Sequence, residues 1–400
     1  MTHSWLIDLM KSVDAAESPR PFFYWSALSV VSAIVRNQVY LDKFMYKLYP
    51  NIFVMLVAKS GLRKGVPIKM AKELVTLIGN TRIFAGRGSI QGIINELSKA
   101  HTLPSGLIIK DATGFIVSSE FSSSFVQDPQ TFTLLTDLYD SDYNSGEWKN
   151  VIKGTGTETL KDVSLTMLSA TNQSHFKSTI SDTDVSGGFI GRTLIVTADK
   201  KQQVNALVKR PLQTFNAADH IEYLKELAKL KGEFNYYEDS DDIYEAWYTK
   251  FSSDIEDADD KTGTLDRLHD HVLKVAMLLS LCRSPDLRIL PEDIINAVKS
   301  CEMLTLNVKK TIIGSGKGQM APQTGAVLTL LMKQPELKIG RKRLLQRLWG
   351  DLDANELDRV IETLIQAGAV KVFRDENKEL SYELKQEFYD QYRSMKGGKT

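Results

Sequence analysis

Residues 51–78 read NIFVMLVAKSGLRKGVPIKMAKELVTLI, and this stretch decides the fold class. Asn51–Val57 is a continuous apolar run, the pattern of a strand buried on both faces of a parallel sheet. A polar, glycine-containing turn follows at Ala58–Gly65. From Pro67 to Ile78, apolar side chains recur at Ile68, Ala71, Leu74, Val75 and Ile78, the spacing of one helix face. A strand, a glycine turn and a helix in that order can cradle phosphate. The turn's N–H groups point inward, and the helix N-terminus adds a positive dipole.

Outward from this unit, Gly114–Ser118, Val163–Ser169 and Thr193–Thr197 are further candidate buried strands, and Ile90–Leu97 reads as a helix capped by Ser89. Strands alternating with helices predict a layered α/β core. Residues 1–50 read as two helices and a short strand, punctuated at Glu17-Ser-Pro19. Asp219–Ile312 is helical in pattern. Gly314–Pro322 has linker composition. Helices then follow at Gly325–Met332, Arg341–Trp349 and Ala354–Ala367, with two strands around Asp375, the order of a winged helix. The expected divisions are an N-terminal helical segment (1–50), an α/β core (51–213), a helical lid (214–313), the linker (314–322) and a winged-helix domain (323–400).

Composition narrows the function classes. Four hundred residues exceed what one core usually takes. Formal net charge is zero, so any nucleic-acid contact must come from local patches. The two cysteines, Cys282 and Cys301, lie in apolar helical segments and read as buried thiols of a reducing compartment. No apolar run approaches the roughly 20 residues of a membrane span, and MTHSWLIDLMKSVD has no signal-peptide pattern. A cytosolic protein is expected.

Compared with G-x-x-x-x-G-K-[ST], the turn has Ala58 for the first glycine, Arg63 for the second and Gly65 for the metal-binding hydroxyl. Gly61 supplies a tight turn within it. Ser60, Gly61, Leu62, Arg63, Lys64, Gly65 and Val66 are the expected nucleotide contacts, Lys64 reaching the outer phosphates; a plain surface turn is the alternative. Ile313–Gly318 also carries a glycine–lysine pattern, but in linker composition, where Lys317 has no anchored geometry. Glu120 ends a buried strand and can polarise an attacking water, unless it only caps the following helix. Ser119 occupies the position of the usual metal-binding aspartate. Asn172 closes the Val163–Ala170 strand, where an amide can hold water or a γ-phosphate. Arg192, after the glycines of Gly187–Gly191, can act on a neighbouring subunit's phosphate.

With these landmarks in order, residues 10–310 resemble a family of phage- and plasmid-encoded P-loop ATPases that carry a domain of unknown function. The resemblance rests on Glu17-Ser-Pro19, Pro50-Asn-Ile-Phe-Val, Ser60-Gly-Leu-Arg-Lys64, Ser118-Ser-Glu120, Leu138-Tyr-Asp140, Ala170-Thr-Asn172 and Gly188-Phe-Ile-Gly-Arg192. The motif order is also similar to minichromosome-maintenance-type AAA+ helicases. It implies a P-loop AAA+-like α/β fold and a ring of subunits with ATP and Mg²⁺ sites between them. Lys64 would then bind phosphate, Glu120 activate water, Asn172 act as sensor and Arg192 as arginine finger, with Arg267 loosely matching the lid arginine.

DNA has two candidate surfaces. Glu147–Lys161 reads as a hairpin whose Lys149, Lys153 and Lys161 can meet phosphates and whose Trp148 can stack on a base. Lys338, Arg341, Lys342, Arg343 and Arg347 form a basic patch in the winged helix. A ligand-free hairpin and a solvated helix face are the alternatives. The resulting expectation is an ATP-driven, hexameric DNA helicase or translocase of a phage or mobile element, working with a primase or other replication proteins. Its rival is a nucleotide-gated DNA-binding protein or helicase loader, favoured by the missing metal ligands.

Overall fold

The computed structural model describes residues 4–86, 88–102, 106, 108–121, 130–140, 147–152, 156–179, 188–205, 215–255, 260, 262–312, 321–350, 352–375 and 378–390. They divide into two compact units, Met1–Ile312 and Ile313–Thr400.

The first unit is built on a five-stranded sheet in the order Thr193–Thr197, Phe53–Val57, Ser164–Thr171, Thr113–Ser118, Ile83–Ala85, with every neighbouring pair parallel. The four longer strands lie where the apolar runs predict them. Ile83–Ala85 was not read from the sequence. It is short and only partly covered, so it lacks the unbroken apolar run of its neighbours.

Alternate residues of each strand feed opposite cores, which explains why the strands are apolar on both faces. Val54, Leu56, Val117, Leu168 and Val196 join one cluster with helices Arg20–Val35, Gly65–Ile78 and Leu268–Arg283. Phe53, Met55, Ile116, Met167 and Ile195 join the other, against Ile90–Leu97 and Thr131–Tyr139. The result is a three-layer α/β/α arrangement.

Helix Arg20–Val35 is buried almost throughout and lies inside the first cluster. Of its serines, Ser29 donates to the Trp25 carbonyl at 2.8 Å and Ser32 meets the sheet, whereas Ser26 Oγ has no partner among the described residues. Ser32 Oγ lies 2.6 Å from Thr166 Oγ1, and Thr81 donates to the Ala33 carbonyl at 2.7 Å. Residues before position 50 are thus part of the unit that carries the sheet. Gly65–Ile78 ends at Gly79, whose φ of 65° and N–H to the Val75 carbonyl form a left-handed cap. Ser89 Oγ accepts from Gly92 N at 3.1 Å and starts Ile90–Leu97. The helical second half comprises Ala218–Leu227, Ser240–Ile255, Leu268–Arg283 and Pro291–Ile312.

The second unit contains helices Ala321–Met332, Arg341–Leu348 and Ala354–Gln366 and an antiparallel sheet ordered Lys338–Gly340, Leu380–Leu384, Val370–Arg374. It has its own core, including Val327, Leu331, Leu344, Leu357, Val360 and Tyr382. Asp353 and Glu356 form a reciprocal capping box at the start of Ala354–Gln366. Most of the sequence-predicted linker, and the glycine–lysine pattern around Lys317, lie outside the described residues. Among the described residues, no helix is long and apolar enough to cross a membrane.

Candidate nucleotide-binding site

The chain leaves Phe53–Val57 towards Ile83–Ala85 on one side of the sheet, and leaves Ser164–Thr171 towards Thr193–Thr197 on the other. These two strands are neighbours, and their following helices pack on opposite faces of the sheet. Gly65–Ile78 lies in the first cluster and Phe176 of Gln173–Thr179 in the second, which makes a topological switch point at the strands' carboxyl ends. In parallel α/β sheets that is where ligands bind. Residues 58–65 stand on one side of it and Asn172 on the other, tied where Ala58 N–H reaches the Thr171 carbonyl at 3.4 Å.

Within the loop, Gly61 has φ +90° and Arg63 φ +55°. Backbone in these conformations turns successive N–H groups towards a common point, the geometry of an anion nest. Leu62 is buried and pins the loop to the core, whereas Ser60, Gly61, Gly65 and Val66 are exposed. A Cβ at Gly61 or Gly65 would meet nothing within 4 Å, so the loop is open at both positions. Lys64 Nζ donates to the Ala58 carbonyl at 2.7 Å and the Lys59 carbonyl at 3.1 Å. Partial burial lowers its pKa, and the Glu120 carboxylate opposes that shift, so the two side chains lie within electrostatic reach.

Ser119 and Glu120 are exposed at the carboxyl end of Thr113–Ser118, and Glu120 N–H reaches Ser118 Oγ at 3.3 Å. Asn172 Oδ1 accepts from Ser174 N and Ser174 Oγ, each at 3.3 Å, and so caps the Gln173–Thr179 helix. With Oδ1 engaged, the Nδ2 amide is the group able to face a phosphate or water. Because Ser164–Thr171 lies between the other two strands, Asn172 falls between Lys64 and Glu120.

The donor set fits a nucleotide phosphate chain: main-chain N–H groups, one lysine and a helix start. For a magnesium ion, Ser119 and Glu120 offer exposed side-chain oxygens, and Gly65 has no side-chain oxygen to add. Such an ion would depend on phosphate and water for most of its ligands. Among the described residues, no group of three or more His, Cys, Asp or Glu side chains could hold a metal by itself.

The arginines lie elsewhere. Arg192 precedes Thr193, which pairs with Phe53, so it sits where the strands begin. A five-residue strand separates that edge from the phosphate loop by about 17 Å. Arg192 is nearly buried and binds Asp140 through Nε at 2.7 Å and through its terminal nitrogen, with Nη1 on the Gly188 carbonyl at 3.0 Å. Arg267 Nη1 lies 3.5 Å from the same Asp140 carboxylate. Arg267, expected as a loose match to a lid arginine, thus stands beside Arg192, at the opposite edge.

The glycines around Arg192 have intramolecular reasons. A Cβ on Gly188 would strike the Arg192 guanidinium, and one on Gly191 would lie 2.7 Å from the Gly263 carbonyl. The His271 ring touches the Gly191 carbonyl at 2.8 Å, and burial pushes its pKa down to about 4.

Glu147–Ile152 and Gly156–Lys161 form the expected hairpin. Trp148, expected to stack on a base, is half-buried: it packs against the second core cluster and has Leu160 as its cross-strand partner. Lys149 and Lys161 are exposed, and both pair with Glu147, at 3.2 and 3.6 Å. Lys153 lies outside the described residues. In the second unit, Lys338 pairs with Glu336 and Arg341 with Asp358 in a two-pronged contact. Lys342, Arg343 and Arg347 are exposed.

Sequence reading assigned no role to four residues that the structure brings forward. Glu17 and Ser18 contact Arg63 of the 58–65 loop. Asp140 holds both arginines. Trp349 is 82% exposed beside the basic helix Arg341–Leu348. The first three contacts bridge residues far apart in sequence, where no local pattern could reveal them. No protein-family model matches the chain, and no curated protein does either.

Proposed function

We propose that this chain is an ATP-hydrolysing subunit of a head-to-tail assembly acting on DNA, a helicase or translocase with an AAA+-like core, a helical lid and a winged-helix domain. One observation carries the reading. Lys64, Asn172 and Glu120 end three adjacent parallel strands at one edge of the sheet, while Arg192 and Arg267 share the opposite edge. A site assembled from both edges needs two molecules. Repeating that contact gives a heterologous interface, which closes into a ring or runs on as a filament.

The chemistry follows from these groups. Loop N–H groups and Lys64 neutralise the phosphates. Glu120 accepts the proton of a water held by Asn172, whose oxygen bonds to the γ-phosphorus as the bond to the β-phosphate oxygen breaks. A magnesium ion, which Ser119 would help hold, would supply charge neutralisation at the phosphates. Arg192 of the neighbouring subunit would exchange the Asp140 carboxylate for phosphate oxygens, one anionic partner for another, so little desolvation stands in its way.

Lys64→Ala should abolish binding of a fluorescent ATP analogue. Arg192→Ala should retain binding but lose hydrolysis by about a thousandfold, the lower range for a missing arginine finger. A wild-type chain that takes up no adenine nucleotide at about 1 mM, the upper end of ordinary KM values, would end this reading. A nucleotide-gated DNA-binding or loader protein is the second reading, favoured by Gly65 and Ser119 at the metal-ligand positions. Stimulation of hydrolysis by single-stranded DNA separates a motor from a loader.

A further inference from the structure

The phosphate loop places an arginine where loops of this kind use glycine, and that arginine sits at φ +55°. A residue with a Cβ is disfavoured there, so an unsupported loop would drift to other conformations. Support comes from the segment between the first two helices, Trp5–Ser12 and Arg20–Val35. Ser18 is buried and donates its hydroxyl to the Arg63 carbonyl at 2.9 Å; the same carbonyl accepts Val66 N–H at 3.1 Å. Glu17 accepts Arg63 Nε–H at 3.1 Å. Its other carboxylate oxygen accepts from Lys201 Nζ at 3.1 Å and Asn205 N–H at 3.2 Å, and its main-chain carbonyl accepts Gln202 N–H at 3.1 Å. The carboxylate is thereby fixed before it meets the loop, and stays ionised at any physiological pH, its pKa held at about 2 by these donors.

We propose that Ser18 and Glu17 are positioning residues of the nucleotide site, a clamp that holds Arg63 left-handed and keeps the phosphate loop in its anion-accepting shape. The clamp stands in for the conformational freedom of the absent glycine. It rests on the reading of residues 58–65 as a nucleotide loop. Its particular consequence is that a glycine at position 63 should make the clamp dispensable, because glycine adopts that conformation unaided.

The test compares the wild-type protein, Ser18→Ala, Arg63→Gly and the double variant. Two quantities are read: affinity for a fluorescent ATP analogue, and amide hydrogen exchange at residues 61–66 without nucleotide. Ser18→Ala should weaken binding about fivefold, the equivalent of one hydrogen bond, and speed exchange in the loop. In the Arg63→Gly background the same substitution should change affinity less than about twofold, since glycine needs no restraint there. Equal losses in both backgrounds would overturn the clamp, because Ser18 would then act through the general fold. Unchanged exchange and affinity in Ser18→Ala would overturn it as well. If wild-type protein binds no nucleotide, yet loop exchange still rises in Ser18→Ala and not in the double variant, the clamp survives and the nucleotide reading fails.

Discussion

Gly65 is the residue at which a single change should add function. It stands where the pattern G-x-x-x-x-G-K-[ST] has a hydroxyl, and a Cβ there meets nothing within 4 Å. Gly65→Thr should therefore be accepted sterically at the helix start. It would supply an oxygen that the present donor set lacks. Steady-state hydrolysis should rise severalfold, and half-maximal activity should come at lower magnesium concentration. A variant with unaltered magnesium dependence would mean that the ion does not approach this position.

His271 makes a second residue-scale prediction, independent of nucleotide. Its ring is buried, Nε2–H donates to the Gly191 carbonyl, and Nδ1 has no partner among the described residues. The folded-state pKa of about 4 lies below the unfolded value of 6.5. Between those values the unfolded chain binds more protons, so the stability contributed by the neutral ring is complete above about pH 6.5 and is lost as pH falls towards 4. A shift of this size is worth up to about 3 kcal/mol. Urea unfolding of the wild type should lose more stability between pH 7 and 4.5 than that of His271→Gln, which cannot titrate. Parallel pH curves would show that the ring does not titrate as its burial requires.

At the scale of elements, the second unit offers a clean test of local sequence logic. Asp353 Oδ1 accepts from Asn355 N at 2.8 Å and Glu356 N at 2.9 Å, and Glu356 returns a bond to Asp353 N. Asp353→Ala should destabilise this unit by about 1 kcal/mol, measured by thermal unfolding. The hairpin, the helices and the longer strands were legible in advance, because each is written in local spacing; the Asp353 cap, equally local, reads from the sequence only as helix charge. Partnerships were not legible. No local pattern shows that Leu160 stands opposite a half-buried Trp148, or that Glu147 pairs with both Lys149 and Lys161. Glu147→Gln should consequently raise hairpin affinity for single-stranded DNA and steepen its salt dependence, since two more cations would be released to phosphate. An unchanged salt slope would remove the hairpin from the DNA path. Helix Ala354–Gln366 is a weak candidate for reading a groove: it exposes Asp358 and Glu362, with Arg359 as its exposed cation.

The whole molecule is organised by polarity along the sheet. Strand order was beyond sequence reading, because nothing local states that Ser164–Thr171 inserts between Phe53–Val57 and Thr113–Ser118. The parallel direction of the strands gathers Lys64, Asn172 and Glu120 at one edge and leaves Arg192 and Arg267 at the other, and that insertion sets Asn172 between Lys64 and Glu120. About 17 Å of strand keeps Arg192 from its own phosphate loop. If both edges serve one reaction, two inactive variants should complement each other. Lys64→Ala subunits keep Arg192, and Arg192→Ala subunits keep Lys64. Mixed in equal amounts and allowed to exchange, random assembly would restore an intact pair at about a quarter of the interfaces, whatever the ring size. Hydrolysis should climb towards that fraction of the wild-type rate and depend on total protein concentration. If each variant stays inactive after verified subunit exchange, the arginine edge and the phosphate loop do not meet. Arg192 would then serve only to hold Asp140 within its own chain.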